Sequence, residues 1–113
     1  MPSRAEMLRS REPELVADLW LYSSEQGGRR SPIRLGWGCP CTMQKSTDDC
    51  WDGYPLLGDQ EMRPGESRTG IGFVFISGEA AAKMRAAGKF YLWEGGFIGE
   101  AIVRLPSAAC TGD

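Results

Sequence analysis

Short apolar runs separated by turn-forming residues dominate this chain and restrict it to folds built from short strands. The 113 residues include 15 glycines and 7 prolines, scattered without a repeating period. Within residues 15–22, apolar and polar or aromatic side chains alternate with a period of two, which is typical of a strand with one buried face. Further short strands are predicted at residues 31–35, 39–45, 70–77, 89–93 and 97–105, with a helical segment at 79–87. This pattern lacks strand–helix–strand alternation, so it predicts a compact β-barrel or β-sandwich.

The turn signals also suggest how the chain is organised. Residues 1–13 are polar and predict a flexible N-terminal arm or a frayed helical turn, and residues 106–113 predict a loose tail. Residues 46–69 contain several Pro, Gly and Asp turn signals and predict a long loop. The stretch 14–105 is then one domain, which is large enough to bury a hydrophobic core without a metal or a disulfide.

The composition argues against a self-sufficient enzyme. The chain has no histidine, so the commonest general base and the commonest zinc ligand are both missing. No glycine-rich phosphate-binding motif is present, so no bound nucleotide is expected. The net charge of −2 gives no general attraction to nucleic acid or to an anionic membrane, and no apolar run is long enough to cross one. We therefore expect a cytoplasmic, non-catalytic protein without a cofactor.

The cysteines offer one alternative function. Zinc needs four soft ligands in a tetrahedral arrangement, and a small zinc or thiol protein would use all four cysteines of the chain. Their spacing is not that of paired cysteines two residues apart, so small buried thiols are expected instead. The four candidates are Cys39, Cys41, Cys50 and Cys110.

Three segments in order resemble the C-terminal β-barrel domain of elongation factor Tu. They are EQGGRRSPIRLGW at 25–37, MRPGES at 62–67 and FYLWEGGFIGEAIV at 90–103. That family has a Gly-Gly-Arg turn before a Thr/Ser-Pro strand, a Met-x-x-Pro-Gly-Asp/Glu turn, and a closing hairpin with Glu-Gly. The resemblance covers about residues 14–105. It implies an all-β fold, a six-stranded antiparallel Greek-key-like barrel, to which the run at 79–87 adds one short helical turn.

The resemblance implies binding rather than chemistry. In the family this domain packs on a neighbouring domain, on an exchange factor and on aminoacyl-tRNA, whereas the GTPase part has no counterpart here. Phe97 follows Gly96 directly where the family has an Arg, and Gly36-Trp37-Gly38-Cys39 stands where the family has a second one. Losing two basic groups weakens RNA affinity. We therefore predict docking on a protein partner or self-association, with a translation accessory that binds tRNA or other RNA as the alternative.

The candidate contact residues lie near the two Gly-Gly turns. Arg and aromatic side chains are enriched at protein interfaces, and they also stack on the bases of RNA. The same residues therefore serve either kind of partner. The candidates are Arg29, Arg30, Arg34, Trp37, Gly95, Gly96 and Phe97.

A second source of docking surface is the large number of apolar side chains. Four tryptophans in 113 residues exceed what a small core needs, so some are expected to expose apolar surface. The strand at 70–77 is apolar on both faces, with Val74 and Ile76 opposite Phe73 and Phe75. We expect its second face to be covered, or to dock on a partner.

Overall fold

The computed structural model describes residues 3–46 and 49–104, which form a closed antiparallel barrel. Its strands are β1 (Leu15–Leu21), β2 (Cys39–Thr42), β3 (Trp51–Leu56), β4 (Ser67–Phe75), β5 (Lys89–Trp93) and β6 (Phe97–Val103). The remaining elements are helices α1 (Arg4–Arg9) and α2 (Gly78–Ala87) and a 3₁₀ turn at Ser24–Gln26. Around the barrel the strands follow the order β1–β4–β3–β2–β5–β6. Because β1 lies beside β4 after the β2–β3–β4 hairpins, the topology is a Greek key. The predicted all-β, six-stranded barrel is confirmed.

The core lies inside the barrel and is built from every second strand residue. Phe73 and Phe90 meet edge to face with ring centroids 5.2 Å apart, and Phe75 packs on Phe90 at 5.6 Å. Leu19 and Leu21 of β1 join them and are also buried. The period-two pattern at 15–22 therefore identified the inward side of β1 correctly, since aromatic and aliphatic side chains gain most by leaving water together.

The loop predicted at 46–69 is wrong, because β3 lies within it and β4 begins before it ends. The inward residues of β3 include Gly53 and Pro55, both buried, which do not give the apolar alternation of a typical strand. A Cβ on Gly53 would lie 2.8 Å from the Cys41 sulfur and from the Phe75 ring. The strand therefore carries a glycine where two large core neighbours leave no room.

The strand predicted at 31–35 is also wrong. A single antiparallel bridge joins Ile33 to Met62, with both N–H···O distances at 2.8 Å. Pro32 cannot donate a backbone hydrogen bond, and Gly36 has a left-handed φ of 106° that turns the chain. The segment crosses the barrel end as a connection and contributes one buried side chain, Ile33.

The turns behave as their residues predict. Gly65 has a φ of 91° and the N–H of Glu66 donates to the carbonyl of Arg63 at 3.0 Å, as the Pro-Gly pair requires. Strands β5 and β6 form a hairpin, with Trp93 paired to Phe97 around a three-residue turn. Its middle residue, Gly95, has a φ of 72°, a left-handed conformation that glycine adopts without strain.

The N-terminal segment, predicted as an arm or a helical turn, contains helix α1. Ser3 forms a capping box: its hydroxyl accepts from the Glu6 N–H at 3.2 Å, and the Glu6 carboxylate accepts from the Ser3 N–H at 3.0 Å. Leu8 of α1 is buried beside Val74 on the outer side of the barrel. The second face of β4 is therefore covered at Val74, whereas Ile76 beyond the strand end is 66% exposed.

Candidate functional site

Two of the candidate contact residues, Arg29 and Trp37, form one cluster with Ser31 and Glu94, which we call the arginine clamp. The guanidinium of Arg29 pairs with the Glu94 carboxylate and donates to the Ser31 carbonyl at 3.1 Å and hydroxyl at 3.0 Å. It also lies 5.3 Å from the centre of the Trp37 ring, a cation–π distance. The indole N–H of Trp37 donates to Glu94 at 3.4 Å.

The arginine clamp joins the loop after the first Gly-Gly turn to the turn between β5 and β6. The side chain of Arg29 is only 16% exposed and that of Glu94 is 41% exposed, while Trp37 packs partly against the core. The Arg29 guanidinium makes three donor contacts within the chain, and the Trp37 indole N–H makes one. Arg29 and Trp37 therefore connect these two segments, and Gly95 and Gly96 form the turn that follows Glu94.

Arg30 and Arg34 point to solvent instead. The guanidinium of Arg34 is 2.9 Å from the Glu61 carboxylate, and its side chain is 74% exposed. Arg30 is exposed and has no hydrogen bond or ion pair with any residue in the part of the chain that the structure describes. The structure thus separates the three candidate arginines into one internal residue and two surface residues.

Phe97 belongs to a different region, the outer surface of β1, β6 and β5. Its ring meets Tyr91 edge to face at 6.1 Å, and Trp20 meets Tyr22 in the same way at 5.0 Å. Strand pairing places Trp20, Glu100 and Tyr91 side by side across the three strands. We call this surface the outer aromatic face. It consists of Trp20, Tyr22, Tyr91, Phe97 and Ile102.

Polar groups hold the middle of the outer aromatic face in place. The hydroxyl of Tyr22 donates to Glu100 at 2.8 Å, and the ammonium of Lys89 lies 3.4 Å from the same carboxylate. Burial, then the hydrogen bond to Glu100, raise the pKa of Tyr22 well above its ordinary value. The ammonium of Lys45 lies between the Tyr22 and Tyr91 rings, 5.7 Å and 5.5 Å from their centres.

One end of the outer aromatic face carries an apolar hollow of about 170 Å³, which we call the bulge groove. Trp20 and Ile102 border it and are 37% and 53% exposed. Neither was among the candidate contact residues. The sequence does indicate that both are exposed, because Trp20 and Ile102 alternate along their strands with residues that face the core. The lining residues are Asp18, Leu19, Trp20, Ser67, Arg68, Thr69, Glu100 and Ile102.

The three cysteines in the described part of the chain lie in different surroundings. Cys39 and Cys41 are buried in the core of the barrel, Cys50 is exposed, and Cys110 lies outside the described residues. A hydrogen bond with Cys39, together with burial, raises the pKa of the Cys41 thiol, which disfavours the thiolate that metals and electrophiles require. Within residues 3–46 and 49–104 no three Cys, Asp or Glu side chains lie close enough together to hold a metal ion.

Comparison of the chain with models of known protein families and with curated proteins found no match. The resemblance to the C-terminal domain of elongation factor Tu stays a prediction from residues 25–37, 62–67 and 90–103. No helix in the described part of the chain is both long and apolar enough to cross a membrane.

Proposed function

We propose that this chain is a non-catalytic binding module that docks on a protein partner through its outer aromatic face. The observation that carries the proposal is the exposure of Trp20 and Ile102 beside an apolar groove. Large apolar side chains on the outside of a closed barrel contribute nothing to its core. Together with Tyr91 and Phe97 they form the kind of aromatic surface that protein interfaces favour.

The barrel topology supports side-chain recognition. A closed sheet has no unpaired edge strand to which a partner strand can be added, so affinity must come from side chains on an outer face. Docking is also the role that the resemblance to the elongation factor Tu domain implies. Self-association through the same face is the form this function takes if the partner is a second copy.

A photo-crosslinking experiment tests the proposal. Benzoylphenylalanine is introduced at position 20, and irradiation of a lysate of the source organism is expected to give a ribonuclease-resistant protein adduct. The matched control carries the same group at position 7, because Met7 is 60% exposed on α1, away from the face. Ile102→Glu in the position-20 protein should abolish the adduct. Equal adducts from positions 20 and 7, or none from position 20, would contradict the proposal.

RNA binding is the second candidate, in the form of a translation accessory. Two lysines, Lys45 and Lys89, lie against the tyrosines of the outer aromatic face, and aromatic side chains with nearby cations bind single strands by stacking. Fluorescence anisotropy with labelled bulk tRNA distinguishes the two candidates. Affinity that falls steeply between low and moderate salt, and that weakens in Lys45→Ala, favours RNA. Protein docking predicts no such binding.

A further inference from the structure

A β-bulge creates the bulge groove between β1 and β4. On one side of the irregularity Ala17 faces Ile71, and on the other Leu19 faces Arg68, so β4 has one residue more than β1. Gly70, within the extra length, has a φ of 70°, a conformation that glycine adopts without strain. Its N–H donates at 3.0 Å to a side-chain oxygen, Oδ1 of Asp18. The hollow is thus a consequence of defined backbone geometry.

The size of the groove matches one apolar side chain. A cavity of about 150 Å³ in another protein binds benzene, and the bulge groove has about 170 Å³. The exposed parts of Trp20 and Ile102 provide apolar walls on the side of β1 and β6. A phenyl or isobutyl group therefore fits.

The charged groups around the groove already have partners. The Asp18 carboxylate accepts from Arg104 at 2.6 Å, and Glu100 is held by Tyr22 and Lys89. Arg68 donates to the carbonyls of residues 60 and 61 and lies 3.5 Å from the Glu66 carboxylate. A charged ligand would find no unpaired counter-charge here and would lose its own hydration. An uncharged apolar ligand is the complement of this electrostatically balanced rim.

We infer that the bulge groove receives a single uncharged apolar side chain, of phenylalanine or leucine size, from the protein partner. The inference rests on the proposed docking function and names the part of the partner that enters. One anchor side chain in a small pocket, surrounded by polar contacts that exclude water, is how interfaces concentrate their binding energy. The outer aromatic face would supply those surroundings.

An NMR titration of the full chain tests the anchor directly. The probe is N-acetylphenylalaninamide, and N-acetylaspartate and N-acetylargininamide serve as charged comparisons. The neutral probe should shift the Trp20 indole N–H and the amides of Thr69, Gly70 and Ile102, with a dissociation constant roughly in the millimolar range for so small a ligand. The charged compounds should bind at least about tenfold more weakly. Equal binding of all three, or shifts confined to other surfaces, would overturn the inference.

Two glycine variants distinguish an effect on probe binding in the bulge groove from a general loss of stability. Gly70 and Gly58 share a φ of 70°, and open space surrounds the Cβ position of each. Gly70→Ala and Gly58→Ala should therefore lower the melting temperature by similar amounts, because both place an alanine in a left-handed conformation. Only Gly70→Ala should weaken binding of N-acetylphenylalaninamide. Equal weakening by both variants, or by neither, would contradict a groove built by the bulge.

Failure of the inference and failure of the proposed function give different results. If the neutral probe binds in the groove but crosslinking at position 20 captures nothing, the anchor chemistry holds and the docking function is wrong. If crosslinking gives a specific protein adduct but the probe does not bind, the docking function stands and the single-anchor inference is wrong.

Discussion

Two tryptophans lie on the barrel surface in opposite situations. Trp37 stacks under Arg29, donates to Glu94 and packs partly against the core. Trp20 touches Tyr22 edge to face, borders the bulge groove and is 37% exposed. Trp37 is therefore occupied by contacts within the arginine clamp, whereas Trp20 at the bulge groove keeps part of its ring exposed. Residue type does not separate a structural aromatic from a binding one, but the partners that surround it do.

The largest expected effect comes from removing the tryptophan of the arginine clamp. Trp37→Ala should lower the free energy of unfolding by about 3 kcal/mol, because it removes a partly buried ring and leaves Arg29 without its cation–π contact. Trp20→Ala should cost less than Trp37→Ala, since 37% of the Trp20 surface already meets water and no cation among the described residues depends on its ring. Urea unfolding measures both. Similar losses of unfolding free energy in the two variants would contradict the view that Trp37 is structural and Trp20 is not.

The next effect is on the ionic part of the arginine clamp. Arg29→Ala should cost about 2 kcal/mol, because it breaks charge-assisted hydrogen bonds of a side chain that is only 16% exposed. A double-mutant cycle with Glu94→Gln isolates the pair, and its coupling should be about 1 kcal/mol given the partial exposure of Glu94. Coupling indistinguishable from zero would mean that Arg29 stabilises the fold through Ser31 and Trp37 alone.

A smaller effect concerns the rim of the bulge groove and depends on pH. The hydrogen bond from Arg104 lowers the pKa of Asp18 below its ordinary value of 3.8, and the Gly70 N–H acts in the same direction against the cost of burial. A lowered carboxyl pKa adds stability above the ordinary value, and this stability is lost as the pH falls through the folded value.

Asp18→Asn should therefore flatten the decline in melting temperature below about pH 4. The pair is largely exposed and screened by solvent, so the flattening should be small. Arg104→Gln removes the main cause of the shift and should give the same flattening. If the melting temperature of both variants falls with pH as it does in the unmodified protein, the Asp18–Arg104 pair does not contribute to stability.

The smallest effect is expected at the exposed arginine beside the arginine clamp. Arg30→Ala should change the free energy of unfolding by less than about 0.5 kcal/mol, because the side chain is exposed. Under protein docking through the outer aromatic face it should also leave crosslinking at position 20 unchanged. A loss of tRNA affinity in this variant, with a smaller salt dependence, would shift the comparison toward the RNA alternative.

Strands with clear side-chain alternation were predicted well from the sequence, and the strand without it was missed. Residues 89–93 were predicted with the bounds that β5 has, and 15–22 missed the end of β1 by one residue. The strand β3 was missed because Gly53 and Pro55 occupy its inward positions. The candidate contact residues were chosen by residue type, which does not fix exposure: the Arg29 side chain is 16% exposed, whereas Arg30 is exposed to solvent.

The sequence by itself determined that the fold is built from short strands and tight turns, because side-chain alternation and the Pro-Gly and Gly-Gly turns act locally. Only the tertiary structure decided which side chains are available. Trp20 and Ile102 come from strands far apart in the chain, and the groove beside them depends on an extra residue in a third strand. Strand register and the pairing of charges are long-range properties, so the same residue type is a structural connection at Trp37 and part of an open surface at Trp20.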